Sequence, residues 1–256
     1  MGEPLRVGRF GDGARSFYAI VEAGDRIREL AGSPFVSPEP SGSSRPMEGL
    51  APLVPCQPSK IVGIGRNYRA HAKELRHAVP DEPLLFLKPC SALLPPGGVI
   101  RLPAASQRVD YEGEIAVVIG RTAREVPPER APDFIFGYTC LNDVTARDLQ
   151  EKDVQFTRAK GFDTFCPVGP WIATGLDPTR LVVETFVNGD RRQSSSAATM
   201  IFGISLLVSY VSRIMTLVPG DLIATGTPAG VGPLQPGDVV EVEIPGVGVL
   251  RNPVVA

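Results

Sequence analysis

VDYEGEIAVVIG, residues 109–120, decides the fold. After Glu114 the chain runs Ile-Ala-Val-Val-Ile without a polar break, a composition rich in β-formers that reads as a strand. Strand side chains alternate between faces, so Glu112 and Glu114, two residues apart, point the same way. Two like charges at that spacing resist being ionised together, and a divalent cation is the usual means of making the pair favourable. A solvated acidic face is the competing reading on spacing alone.

Outward from this strand the chain is punctuated by 26 Pro and 27 Gly, which break it into short extended segments. The fold is therefore mainly β with short helices, α+β in class. Strands are expected at IVGIG (61–65), PLLFLK (83–88), GPWIAT (169–174), LVVETFVNG (181–189), DLIATG (221–226) and DVVEVEI (238–244). Helices are expected around His71 and Glu74, at TARDLQEKD (145–153) and at SAATMIFGISLLVSYVSRIM (196–215). Before these, VGRF, SFYAIVEA and RIREL form a small β-rich unit of hairpins, with a turn at Gly11, Asp12 and Gly13. A stretch rich in Pro and Ser, residues 33–58, marks a connector, which places an N-terminal domain at 1–57 and a larger one at 58–256.

At 256 residues, 43% hydrophobic and 21% charged, the chain suits a soluble globular protein with a substantial core. A formal charge of -2 and a pI near 5.8 provide no positive field for nucleic acid or an acidic membrane. Cys56, Cys90, Cys140 and Cys166 form neither a CxxC pair nor a disulfide framework, as expected of reduced thiols in a cytoplasmic protein. The start, MGEPLRVGRF, has charge where a signal peptide needs its apolar core. IFGISLLVSYV (201–211) is about half the length needed to cross a bilayer and reads as a buried helix. GIGRNY has Tyr68 in place of the third glycine of a dinucleotide fingerprint, and TGTPAGVG lacks the Gly-Lys-Ser/Thr ending of a phosphate loop.

A third ligand for a cation beside Glu112 and Glu114 is sought among Asp143, Asp148 and Asp153. Thr145 followed three residues later by Asp148 resembles a capping box, which gives Asp148 a structural task and leaves Asp143 free. Three carboxylates without His or Cys suit Mg²⁺, Mn²⁺ or Ca²⁺ better than zinc, with Mg²⁺ the default. His71 and Glu74 are neighbours on a helix, the arrangement of a carboxylate-oriented general base; an exposed surface pair fits the spacing equally. His77, in LRHAVPDEP, reads as ordinary loop and is assigned nothing.

Seven blocks, GRNYRAHAKEL, FLKP, VDYEGEIAVVIG, NDVTARDLQ, AKGFDTFCPVGPW, VNGDRRQ and LVPGDLIATGTPAGVG, together resemble the fumarylacetoacetate hydrolase superfamily across roughly residues 58–250. The resemblance implies a mixed β-sandwich roll, a homodimer, and a Mg²⁺ or Mn²⁺ site at Glu112, Glu114 and Asp143. It implies that His71 and Glu74 lie on a segment ordering over the site to activate water, and that Lys160 stands near the bound substrate oxygens. Gln150 and Thr227 match substrate-contacting positions; Arg66, Asn67 and Tyr68 precede the lid, with Arg66 and Tyr68 taken as substrate-binding. Family members act on 2-oxo acids. The expected reaction is C–C hydrolysis of an acylpyruvate or fumarylpyruvate, with isomerisation or decarboxylation of a 2-hydroxyhepta-2,4-diene-1,7-dioate-like compound as the alternative; the fold alone does not choose. A non-catalytic protein with a solvated acidic face is the remaining class.

Overall fold

The computed structural model describes residues 5–76 and 78–256; His77 and the first four residues lie outside it. Five strands come first: β1 (Arg6–Gly11), β2 (Ser16–Glu22), β3 (Arg26–Glu29), β4 (Arg45–Pro46) and β5 (Ala51–Leu53). The β1–β2 turn forms where expected, with Asp12 Oδ1 accepting from the Ala14 and Arg15 amides at 3.0 and 2.9 Å. The Pro- and Ser-rich connector is less bare than its composition indicates, because β4 pairs with β3 and β5 with β1. Phe10, Phe17 and Ile27 bury a small core here, and β1 continues onto the main sheet by pairing Val7 with Ile172.

The rest of the chain supplies β6 (Ile61–Gly65), α1 (Arg69–Glu74), β7 (Leu84–Lys88), β8 (Leu93–Leu94), β9 (Ile100–Arg101), β10 (Val109–Tyr111), β11 (Gly113–Ile119), β12 (Ile135–Asn142) and β13 (Thr145–Ala146). Then follow α2 (Arg147–Lys152), α3 (Thr157–Lys160), β14 (Cys166–Ala173), β15 (Val182–Val187), β16 (Asp190–Ser196), α4 (Ile204–Ile214), β17 (Leu222–Ala224), β18 (Gly232–Pro233), β19 (Val239–Ile244) and β20 (Gly248–Val255). Among the described residues, β4-β3-β2-β1-β14-β12-β11-β17-β6-β7 is the order of one large sheet, and β16-β15-β19-β20-β9 that of a second. Parallel pairs β17/β6 and β20/β9 make both mixed.

β11 explains its own sequence. Ile115, Val117 and Ile119 face a core shared with Val183, Val242 and Leu250 of the second sheet and with Leu207, Val208 and Val211 of α4. Ala116 and Val118 face another core with Ile61, Val168 and Leu222. A strand buried on both faces reads as an unbroken apolar run, as this one does. Removing one of these large side chains, such as Leu207→Ala, carries the usual core cost of about 2–5 kcal/mol.

Three local expectations are corrected. The stretch 109–119 is two strands: the chain breaks at Glu112, β10 pairing with β13 and β18 while β11 joins the large sheet. The long helix at 196–215 is helical only over Ile204–Ile214 after a short 3-10 turn at Ala197–Thr199, because Gly203, with extended backbone, starts it. The capping box does not form. Thr145 is held extended opposite Asp110, its hydroxyl donates to Asp143 O at 2.8 Å, and Ala146 precedes α2 without a side-chain cap. β12, β16 and β20 were not anticipated.

Candidate functional site

The break at Glu112 builds the site. β11 and β12 are antiparallel with Gly113 opposite Asn142, so Asp143, the next residue, arrives beside Glu112. Two bonds fix the junction: Asp143 N donates to Glu112 O at 2.8 Å, and Glu112 N donates to Asn142 Oδ1 at 2.9 Å. Only glycine fits between the two glutamates, since a Cβ at Gly113 would lie 1.9 Å from Thr185 Oγ1. Glu112, Glu114 and Asp143 are all buried, and each offers an oxygen within 4.8 Å of the other two.

Four groups surround this triad. Lys160 Nζ donates to Glu112 Oε2 at 2.8 Å and also to Asp143 Oδ2. Arg147 reaches Glu112 Oε1 with Nη2, Asp110 Oδ2 with Nε at 2.9 Å, and Gln150 Oε1 with Nη1 at 2.5 Å. Lys88 donates to Asp143 Oδ1 at 2.6 Å. The Gly226 amide donates to Glu114 Oε2 at 2.7 Å, from a glycine with φ of +100° whose Cβ would meet Asn67 Cβ at 2.7 Å.

Electrostatics divides the two glutamates. Burial opposes ionisation of Glu112, but Lys160 and Arg147 overcome it and hold the carboxyl below the ordinary range. Burial, then Asp143 and Glu112, push Glu114 well above that range. Burial likewise works against Lys160 and Arg147, and their carboxylate partners raise both. An all-oxygen donor set with one member forced toward protonation fits a hard divalent cation, which removes the repulsion that raises Glu114.

A cavity of about 590 Å³ opens above the triad, and its wall includes His71, Arg66, Gln150, Thr227 and Lys160. His71, buried on α1, places Nδ1 3.3 Å from Glu74 Oε2, and Glu74 accepts from the Gly230 amide at 3.0 Å. Thr227 donates to Gly113 O at 2.9 Å and accepts from Gln193 Nε2 at 2.8 Å. Arg66, half-buried, turns the chain after β6 with φ of +58°. Phe86 and Phe156 meet edge to face at 5.8 Å, and Lys160 Nζ stands 4.9 Å from the Phe86 ring centre.

Three residues singled out in the sequence, Tyr68, Asn67 and Asp148, sit elsewhere. Tyr68 is not on the wall of this cavity: its backbone bridges Met200 and its ring is buried, burial together with Glu114 pushing the hydroxyl up. Asn67 braces the loops by donating to Phe202 O at 3.0 Å and Thr225 O at 2.8 Å. Asp148 accepts from Ser106 Oγ at 2.5 Å and Gln107 N at 3.0 Å; Asp153 is on the cavity wall but pairs with Arg158 at 2.6 Å. Sequence reading missed Lys88 and Arg147. Lys88 carried a signal, a lysine ending the apolar strand PLLFLK; Arg147, inside a helix start, carried none.

Residues 60–255 match the family model for the fumarylacetoacetate (FAA) hydrolase C-terminal domain. The chain belongs to the fumarylacetoacetate hydrolase family. Residues 5–55 match the model of the Rv2993c-like N-terminal family. The chain is 39% identical over 269 residues to the 2,4-didehydro-3-deoxy-L-rhamnonate hydrolase of a Sphingomonas species, covering 96% of this chain and 94% of that one. It is 44% identical over 210 residues to the oxaloacetate tautomerase YisK of Bacillus subtilis, covering 77% and 70%. The crystal structure of 2-hydroxyhepta-2,4-diene-1,7-dioate isomerase from Mycobacterium marinum superimposes with a TM-score of 0.91 at 45% identity, covering 98% of each chain. No described helix is long and apolar enough to cross a membrane.

Proposed function

We propose that this member of the family hydrolyses a C–C bond in a 2,4-dioxo acid of the acylpyruvate or fumarylpyruvate type, releasing pyruvate and a carboxylic acid. One observation carries the reading: a single cavity has both the carboxylate triad and His71 on its wall, and Glu74 stands 3.3 Å from the His71 ring. Glu112, Glu114 and Asp143 would hold Mg²⁺ or Mn²⁺, and the bound ion supplies Lewis-acid stabilisation to negative charge at the 2-oxo acid end of the substrate.

The chain's own groups divide the remaining work. Lys160, fixed in its charged form by Glu112 and Asp143, faces the same end, where Gln150 and Thr227 orient the substrate. Arg66 lies on the wall as a further substrate contact. Glu74 accepts from His71 Nδ1–H, which leaves Nε2 as the base that takes a proton from water. The hydroxide adds to the C4 carbonyl, the C3–C4 bond breaks, its electron pair goes to C3, and the resulting enolate is protonated there as pyruvate. The chain is taken to work as a cytoplasmic homodimer, which light scattering tests.

A second reading is isomerisation or decarboxylation of an enolisable 2-oxo acid such as a 2-hydroxyhepta-2,4-diene-1,7-dioate-like compound; its isomerase branch is favoured by the tautomerase and isomerase activities named for similar proteins. It uses the same enolate without water attack. Incubation with Mg²⁺ and acetylpyruvate or fumarylpyruvate, scored for pyruvate, separates the two. Pyruvate release supports hydrolysis; its absence, together with a spectral shift of the dienedioate, replaces hydrolysis by isomerisation.

A further inference from the structure

Lys88 ends β7, and its side chain is completely buried. An ammonium group survives inside a protein only with a full set of acceptors. Lys88 has three: Asp143 Oδ1 at 2.6 Å, Lys160 O at 2.7 Å and Val144 O at 3.3 Å. All its protons are used, so its direction is fixed. The other two carboxylates of the triad are treated alike. Arg147 holds Oε1 of Glu112, and the Gly226 amide holds Oε2 of Glu114. Each carboxylate thus has one oxygen committed to Lys88, Arg147 or the Gly226 amide; of the other three, Glu112 Oε2 and Asp143 Oδ2 are bridged by Lys160 Nζ, whose place between them a cation would take, with Glu114 Oε1 as the third oxygen.

We propose that Lys88 is a positioning residue that restricts Asp143 to a single metal-facing oxygen and so makes the site prefer small octahedral cations, Mg²⁺ or Mn²⁺, over Ca²⁺. The inference rests on the reading of the triad as a metal site. Ca²⁺ gathers about 6–8 oxygens and readily takes both oxygens of one carboxylate, whereas Mg²⁺ demands near-octahedral geometry and completes its shell with water. A cation astride both oxygens of Asp143 would be pressed against the Lys88 ammonium, which bonds one of them at 2.6 Å, in a buried setting where like-charge repulsion is little screened. Arg147 also serves Asp110 and Gln150, and the donor at Gly226 is backbone, so Lys88 is the arm that one substitution removes most cleanly.

The test is calorimetric titration of the metal-stripped full chain with Mg²⁺ and, separately, Ca²⁺, for the wild type, Lys88→Met and Lys88→Gln. Lys88→Met is expected to lower the Mg²⁺-to-Ca²⁺ affinity ratio by about 10-fold, the scale on which groups behind metal ligands act. Lys88→Gln, whose amide still donates to Oδ1 without the charge, is expected to lower it less. Terbium(III) luminescence lifetimes in H₂O and D₂O count waters on a calcium-like ion, and Lys88→Met should lose about one as Asp143 turns bidentate. An unchanged ratio and water count in a folded variant overturn the proposal, because loss of a nearby positive charge alone raises both affinities together. Should circular dichroism show Lys88→Met unfolded, Lys88→Gln is judged by the same two readouts. A wild-type chain that binds neither ion overturns the metal reading and this inference with it, an outcome separate from an unchanged ratio.

Discussion

The carboxylate centre and His71, with its partner Glu74, meet at one cavity but are built differently. Each triad member is buried at the end of a sheet strand or in the loop beyond it, and each is held by at least one donor from another element. His71 and Glu74 stand on a six-residue helix without a side-chain cap, joined by one 3.3 Å contact, with Glu74 33% exposed and shared with the Gly230 amide. So short a helix has no stability of its own and depends on what it touches. Under the proposed mechanism the contrast is a division of labour: the group that would meet charge is preorganised by the sheet, and the group that would move a proton is left adjustable.

The largest effects break the first half of this comparison. Glu114→Ala should lower Mg²⁺ affinity by at least ~100-fold, beyond what outer groups cost, and abolish turnover. The fold should persist, because the change relieves repulsion from Asp143 and Glu112; calorimetry and a melting curve check both parts. Next comes His71→Ala, expected to lower turnover ~10²–10⁴-fold, the usual range for a general base, with Mg²⁺ affinity unchanged. A parallel loss of metal affinity would erase the distinction between the two regions.

A pH experiment sharpens the distinction within the triad. Glu114 in the folded chain keeps its proton above the pH at which the unfolded chain releases it, so its contribution to stability is fully present below the ordinary glutamate range. That contribution is lost as pH rises toward the raised folded value. Glu112 has the opposite sign: its stabilising contribution is present above the ordinary range and is lost as pH falls toward its depressed folded value. Glu114→Gln should therefore raise the melting temperature of metal-free protein at neutral pH by about 2–4 °C if the relief is near 1 kcal/mol. The gain should vanish in acid and in saturating Mg²⁺, as scanning calorimetry at several pH values would show.

The same contrast governs what the sequence revealed. β6, β7, β11 and β19 were legible because burial on one or both faces writes a pattern, and Glu112, Glu114 and Asp143 were legible because charge interrupts it. β16, DRRQSSS, was not: it is a largely exposed edge strand without alternation, and its one signal was the Asn188–Gly189 turn before it, with φ of +54° and +85°. Lys88 and Arg147 were missed for a physical reason. Their acceptors lie 55 and 35 residues away, and the one local hint, a lysine ending the apolar strand PLLFLK, does not state which carboxylate it meets. The apparent cap at Thr145 failed because pairing with Asp110 outweighed a local preference of about 1 kcal/mol.

The smallest effect concerns Asp148, which the sequence set aside as structural on the wrong grounds. It does not cap through Thr145; it ties α2 to the loop before β10 through Ser106 Oγ and Gln107 N. Asp148→Ala removes these bonds at a half-buried position, at a cost of about 1 kcal/mol, or about 2–4 °C in melting temperature for a chain of this size. Mg²⁺ affinity and turnover should stay as they are, because Arg147 and Gln150 on the same helix are held by each other and by Asp110. A clear loss of Mg²⁺ affinity in this variant would mean that α2 is positioned from its solvent side, and that the preorganised region extends further than the buried network around Arg147.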